Sequence, residues 1–206
     1  MDWQLSAAEA RVLGCLLEKE IATPDYYPLS LNALVNGCNQ KSNREPVVSY
    51  DEAVVEEALA ELRAQGLTLR ITGGDSRVPK HAQRFTEKFN LGRREAAVMC
   101  LLMLRGPQTT GELRGRTERL YPFDDLEAVE ATLNHLAEMG FAKQLPRQQG
   151  LKEPRWGHLL SGELAAIEAP PPVAERGPSD RERIAALETA LADLRRDFED
   201  FASRFE

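Results

Sequence analysis

Asn39-Gln40-Lys41-Ser42-Asn43-Arg44 places amides, a hydroxyl and two cations side by side. Such groups read adenine and guanine edges and hold phosphates, which makes Lys41, Asn43 and Arg44 candidate nucleic-acid contacts. The same composition also suits an ordinary solvated loop between helices. A second group, Arg70, Arg77, Lys80 and Arg84, could lie along a phosphate backbone and gain from counterion release. Its alternative is a charged edge strand that discourages aggregation.

Charge is unevenly distributed. The net charge of -7 argues against a generic nucleic-acid coat. Residues 1 to 62 carry four bases against eleven acids, whereas residues 63 to 94 carry eight bases against Asp75 and Glu87. Carboxylates also crowd two helical stretches: Asp51, Glu52, Glu56, Glu57 and Glu61 in the first, Asp124, Asp125, Glu127, Glu130 and Glu138 in the second. A helix so acidic would be repelled along its length in a major groove. It fits a solvated face, or a docking surface for a basic protein partner in which Glu52, Glu56 and Glu57 act with the aromatic loop residues Tyr26 and Tyr27.

Other chemistry is not written here. His81, His135 and His158 are scattered, and Cys15, Cys38 and Cys100 have no C-x-x-C spacing, so neither a metal site nor a disulfide framework is expected. The chain has no G-x-S-x-G, Walker or G-x-G-x-x-G sequence. The expectation is a protein that is not an enzyme, with no catalytic residues and no cofactor. Apolar runs such as 96–104 are too short to span a bilayer, and the start lacks the layout of a signal peptide, so a cytoplasmic location without membrane contact is expected.

These residues need elements to hold them. The stretch from Tyr50 to Leu67 reads as an amphipathic helix, with Val55, Leu59 and Leu62 on one face and Gly66 as its stop. Val129, Leu133, Leu136 and Gly140 repeat the pattern, so one small module is used twice. In the first copy, Ser6-Ala-Ala-Glu9 predicts a capping box and a helix to about Glu20; a second helix starts at Ser30. Alternation of Leu67, Leu69 and Ile71 with Thr68, Arg70 and Thr72 predicts a strand. Gly73-Gly74-Asp75-Ser76 is the turn, and the return strand carries Pro79, which should confine it to a sheet edge. Three helices closed by a hairpin make a winged helix-turn-helix module. The second copy begins at Leu91 and has its hairpin over 143–158; the first copy is longer in 23–28 and 39–46.

The Pro-rich stretch after Ala169 reads as a semi-rigid linker. Beyond it Ile184, Leu187, Leu191, Leu194, Phe198, Phe201 and Phe205 alternate spacings of three and four, the a/d seam of a coiled coil, which predicts a homodimer. The bulk of the three phenylalanines also suits packing on a neighbouring module or partner.

The expected fold is mainly α with small β-hairpin wings (α+β): winged-helix domains at 1–88 and 89–163, a linker at 164–179 and a coiled-coil helix at 180–206. The segments EARVLGCLLEKE, TPDYYPLSLNALVNGCNQKSNREP, RVPKHAQRF and LLMLRGPQTTGELRGR resemble the YceH-like family of bacterial proteins. The resemblance implies tandem winged-helix domains followed by a variable coiled-coil tail, and supplies no catalytic residue or ligand. Two functions follow as expectations: a DNA-associated regulator that dimerises through its tail and grips duplex DNA with its wing, or a protein-docking module.

Overall fold

The computed structural model describes residues 4–73, 76–147 and 153–162, with 188, 189, 191, 195 and 196; of Ser76 and Arg77 it describes the backbone alone. The chain divides into two compact units, Met1–Ala166 and Ile167–Glu206.

The first unit opens with helix α1, Ala7–Ala22. Ser6 caps it by accepting the Glu9 N–H at 3.2 Å, but its hydroxyl donates to the Glu9 carboxylate at 2.8 Å, so the reciprocal half of the expected capping box is replaced by a side-chain bond. A single 3-10 turn, Pro24–Tyr26, leads to strand β1, Leu29–Ser30, and helix α2, Leu31–Cys38. Helix α3, Glu52–Ala64, starts at its Asp51 cap and buries Val55, Ala58, Leu59 and Leu62. Strands β2, Thr68–Gly73, and β3, Ser76–Gln83, form the hairpin.

The second half repeats this order. A short helix α4, Phe85–Phe89, which the sequence reading did not anticipate, precedes α5, Arg93–Arg105. Helix α6, Thr110–Thr117, carries a complete capping box between Thr109 and Glu112. Helix α7, Leu126–Glu138, and strands β4, Ala142–Gln144, and β5, Trp156–His158, complete it. The parallel extends to a detail the sequence did not signal. In each half the residue leading into the second helix pairs with the return strand, Leu29 with His81 and Gln108 with Trp156.

One expectation about the first hairpin is corrected. The sheet order is β1-β3-β2, so the strand bearing Pro79 is central. Proline is tolerated because β1 pairs only with Lys80 and His81 and becomes helix at the next residue, leaving no ladder for Pro79 to break on that side. The apolar alternation does not mark a buried face: Leu67 is buried, but Leu69, Ile71 and Val78 are 38%, 42% and 54% exposed. Strand β2 is exposed from Leu69 onward, while Thr68 and, on the return strand, His81, Ala82 and Gln83 are buried.

Both halves share one core. Helix α1 packs on α5, and a Cβ added at Gly14 would stand 3.1 Å from Leu104 and Met103, so glycine lets the two helices approach. Phe85 and Phe89 of α4 meet Phe141 edge-on, with centroids 5.4 and 4.9 Å away. The N-terminal segment closes the unit, Leu5 donating to the Leu160 carbonyl at 2.7 Å. In the second unit, Glu188, Thr189, Leu191, Arg195 and Arg196 are helical and exposed. Of the proposed seam, Ile184, Leu187, Leu194, Phe198, Phe201 and Phe205 lie outside the described residues.

Candidate functional site

The 39–50 loop begins with a backbone clamp. Asn39 at the α2 C-cap mimics a peptide, donating to the Tyr50 carbonyl at 2.7 Å and accepting its N–H at 2.8 Å. The loop then turns inward. Arg44, with its side chain fully buried, forms a bidentate pair with Glu18 of α1 at 2.6 and 3.1 Å. The same guanidinium donates to the Gly37 carbonyl at 2.9 and 3.2 Å. Arg11, also buried, donates to the carbonyls of Cys38 and Pro46 at 3.2 and 2.7 Å. Two cations thus satisfy the carbonyls at the negative end of α2, where a helix lacks internal donors.

Arg44 is thus enclosed by its own fold, with no side-chain surface left to meet a nucleic acid in this arrangement. Burial alone would raise the Glu18 carboxyl, but the bond to Arg44 and the charges of Arg44 and Lys19 hold it below the usual carboxylate range. Asn43 is also engaged, in a left-handed backbone with φ 58, its Oδ1 accepting from Arg105 Nη1 at 3.0 Å. The Glu45 N–H donates to the Leu104 carbonyl at 2.9 Å, so the extra loop of the first half is bonded to the end of α5 in the second. Lys41 remains exposed.

The other candidates separate in the same way. Arg70 is exposed on β2 and Lys80 half-buried on β3, while the side chain of Arg77 lies outside the described atoms. Arg84 is held by Glu87 at 2.9 and 3.0 Å, which offsets its charge locally. Tyr27 is half-buried: it packs on the core and its hydroxyl accepts the Gln83 N–H at 2.6 Å, while burial raises its pKa. Tyr26 is 76% exposed, and Glu52, Glu56 and Glu57 are exposed on α3.

The structure brings together a group that sequence reading missed. A cleft of about 800 Å³ lies between the end of α1, the 40–43 loop, the end of α5 and α6. Its cations are Lys19, Lys41, Arg105, Arg116 and Arg119; its carboxylates are Glu18 and Glu118. Three of the cations belong to the second half. The signal was present in Arg116 and Arg119, but reading those charges as one side of a cleft required knowing that α6 faces the first-half loop.

Among the described residues no group of three or more His, Cys, Asp or Glu could hold a metal ion. The three cysteines are buried and free. His158 sits in β5 with a buried Nδ1 that has no hydrogen-bond partner, and burial pushes its pKa down to about 4. No helix among the described residues is long and apolar enough to cross a membrane.

Fold and site define an α+β protein in which a helix-helix-helix-hairpin unit is used twice around one core, with a cation-lined cleft at the seam. The chain belongs to the family described as "Protein of unknown function, DUF480", whose model matches residues 5–151. It is 70% identical to a UPF0502 protein of Solibacter usitatus (strain Ellin6076) over the whole of both chains. A UPF0502 protein of Pelobacter propionicus is 48% identical over the same full coverage. That of Citrifermentans bemidjiense is 50% identical over 93% of this chain and 90% of its own. The resemblance to the YceH-like family is consistent with this membership.

Proposed function

We propose that the protein is a non-enzymatic, DNA-associated regulator, built as two winged-helix domains at 1–88 and 89–163, that holds duplex DNA by its phosphates. The observation that carries this reading is the placement of charge. Arg70 and Lys80 stand on the first hairpin, whereas the outward residues of α3 and α7 include Glu52, Glu56, Glu57, Glu127 and Glu130, all exposed. Phosphate contact from a wing suits this distribution, and major-groove readout by an acidic third helix does not.

Fluorescence anisotropy with a random-sequence duplex across a salt series tests it. Affinity should fall steeply with salt, and a variant with Arg70, Arg77 and Lys80 changed to Glu should bind at least about tenfold more weakly, since each phosphate contact contributes through counterion release. Absence of wild-type binding at low salt would refute the reading. It would favour the second one, docking of a basic protein partner on α3, which the exposed Glu52, Glu56 and Glu57 support: no cation is within ion-pair distance of them among the described residues. Exchange of these three residues for Lys should then abolish capture of that partner.

A further inference from the structure

The cleft between the two halves plays no part in the wing reading, and its charges are out of balance. Glu18 is already shared by Arg44 and Lys19, and Arg116 reaches Glu112 at 3.4 Å. Lys41, Arg105 and Arg119 have no carboxylate within ion-pair distance among the described residues. Counting the lining residues and their ion-pair partners, six cations face Glu18, Glu112 and Glu118. Arg105 feels the carboxylates of Glu45 and Glu112 but pairs with neither. One of its amines is held by Asn43, its Nε is buried without a hydrogen-bond partner, and burial and then the charge of Arg116 lower its pKa. Like charges kept together at a half-buried site are stabilised by an anion that reaches several of them at once.

We infer that this cleft binds a small phosphate-bearing anion, a nucleotide or a free polyphosphate, across the seam between the two halves. Arg105, Arg116 and Arg119 offer planar donors suited to phosphate oxygens, and Lys41 adds a mobile point charge from the opposite wall. The volume of about 800 Å³ is that of a small-molecule site and too small for a duplex. Leu101 and Leu120 add an apolar part to the lining, which gives a nucleoside somewhere to pack beside the phosphates. Ligand held there touches the 40–43 loop of the first half and α6 of the second, so it adds a link between the two halves.

Isothermal titration calorimetry of the full chain with ATP and with inorganic triphosphate, beside thermal unfolding, tests the inference. Both probes should bind saturably at one site and raise Tm. The Lys41→Glu, Arg119→Glu double variant replaces two exposed residues and should keep the ligand-free Tm while binding at least about tenfold more weakly, the effect of removing charge-assisted bonds. Tighter binding of ATP would identify the ligand as nucleotide; equal binding would identify it as free polyphosphate. The Arg70→Glu, Lys80→Glu hairpin variant should bind both probes like wild type, whether or not it loses DNA. Absence of saturable binding, binding unchanged in the cleft variant, or binding lost in the hairpin variant would each overturn the assignment.

Discussion

Changing Arg44 to Met tests whether the longest loop of the first half is a structural plug or a nucleic-acid reader. The wild-type side chain has no exposed surface, and Glu18 keeps only 15% of its own. Removing the guanidinium strands a largely buried carboxylate and withdraws two hydrogen bonds from the Gly37 carbonyl at the end of α2. Breaking a buried ion pair from one side costs about 3–5 kcal/mol. For a chain of this length each kcal/mol moves Tm by about 2–4 °C, so Tm should fall by roughly 6–20 °C. The double variant Arg44→Met, Glu18→Gln should recover part of that loss, because no charge is then left unpaired. Acid should narrow the gap. Glu18 titrates below its unfolded value, so its contribution is fully present above about pH 4.3 and is lost as pH falls through the lower folded value. Thermal and urea unfolding of wild type and variants between pH 7 and pH 3 would measure both effects. A single variant that unfolds within roughly 2 °C of wild type, against the shift expected for a buried pair, while losing affinity for DNA would refute the reasoning and return Arg44 to the contact surface.

His158 makes a second pH prediction of definite sign. It is held neutral by burial, with a pKa of about 4, so the unfolded chain binds its proton first as pH falls. Stability from this group is full above about pH 6.5 and is lost on descending to about pH 4, a change of about 3 kcal/mol. His158→Leu should flatten the unfolding profile over that range, and an unchanged slope would show that another group is responsible. The tail makes a prediction about assembly: if the seam from Ile184 to Phe205 brings two copies together, the full chain should sediment as a dimer and a chain ending at Pro170 as a monomer. A dimer that survives the truncation would remove the seam from that role.

Periodic features were readable because they depend on neighbours a few residues away. Val55, Leu59 and Leu62, and their counterparts Val129, Leu133 and Leu136, are buried as their helical spacing required. Ser30 caps α2 by a bond that spans three residues, which is why the start of that helix could be named in advance. Helix α4 escaped because five residues give too short a period, although Phe85 and Phe89 stand one turn apart. The alternation in β2 was real, but a period says which residues share a face and not whether that face meets a core. The candidate contacts could not be told apart by local composition. Lys41, Asn43 and Arg44 have nearly the same local composition around them, yet one is exposed, one bonds to Arg105 and one is buried against Glu18.

What the sequence determined by itself was the repeated unit, its helix starts and stops, and the acidic outer faces of α3 and α7, since each of these follows from short-range spacing and from solvent accepting charge. What only the tertiary structure decided was which cations are used up. Arg44 and Glu18 are 26 residues apart, and Arg105 and Asn43 are 62 apart, so their pairing depends on how α1, α5 and α6 pack. The cleft exists for the same reason: its cations come from both copies of the unit, and their mutual repulsion is set by a packing distance that no local pattern encodes.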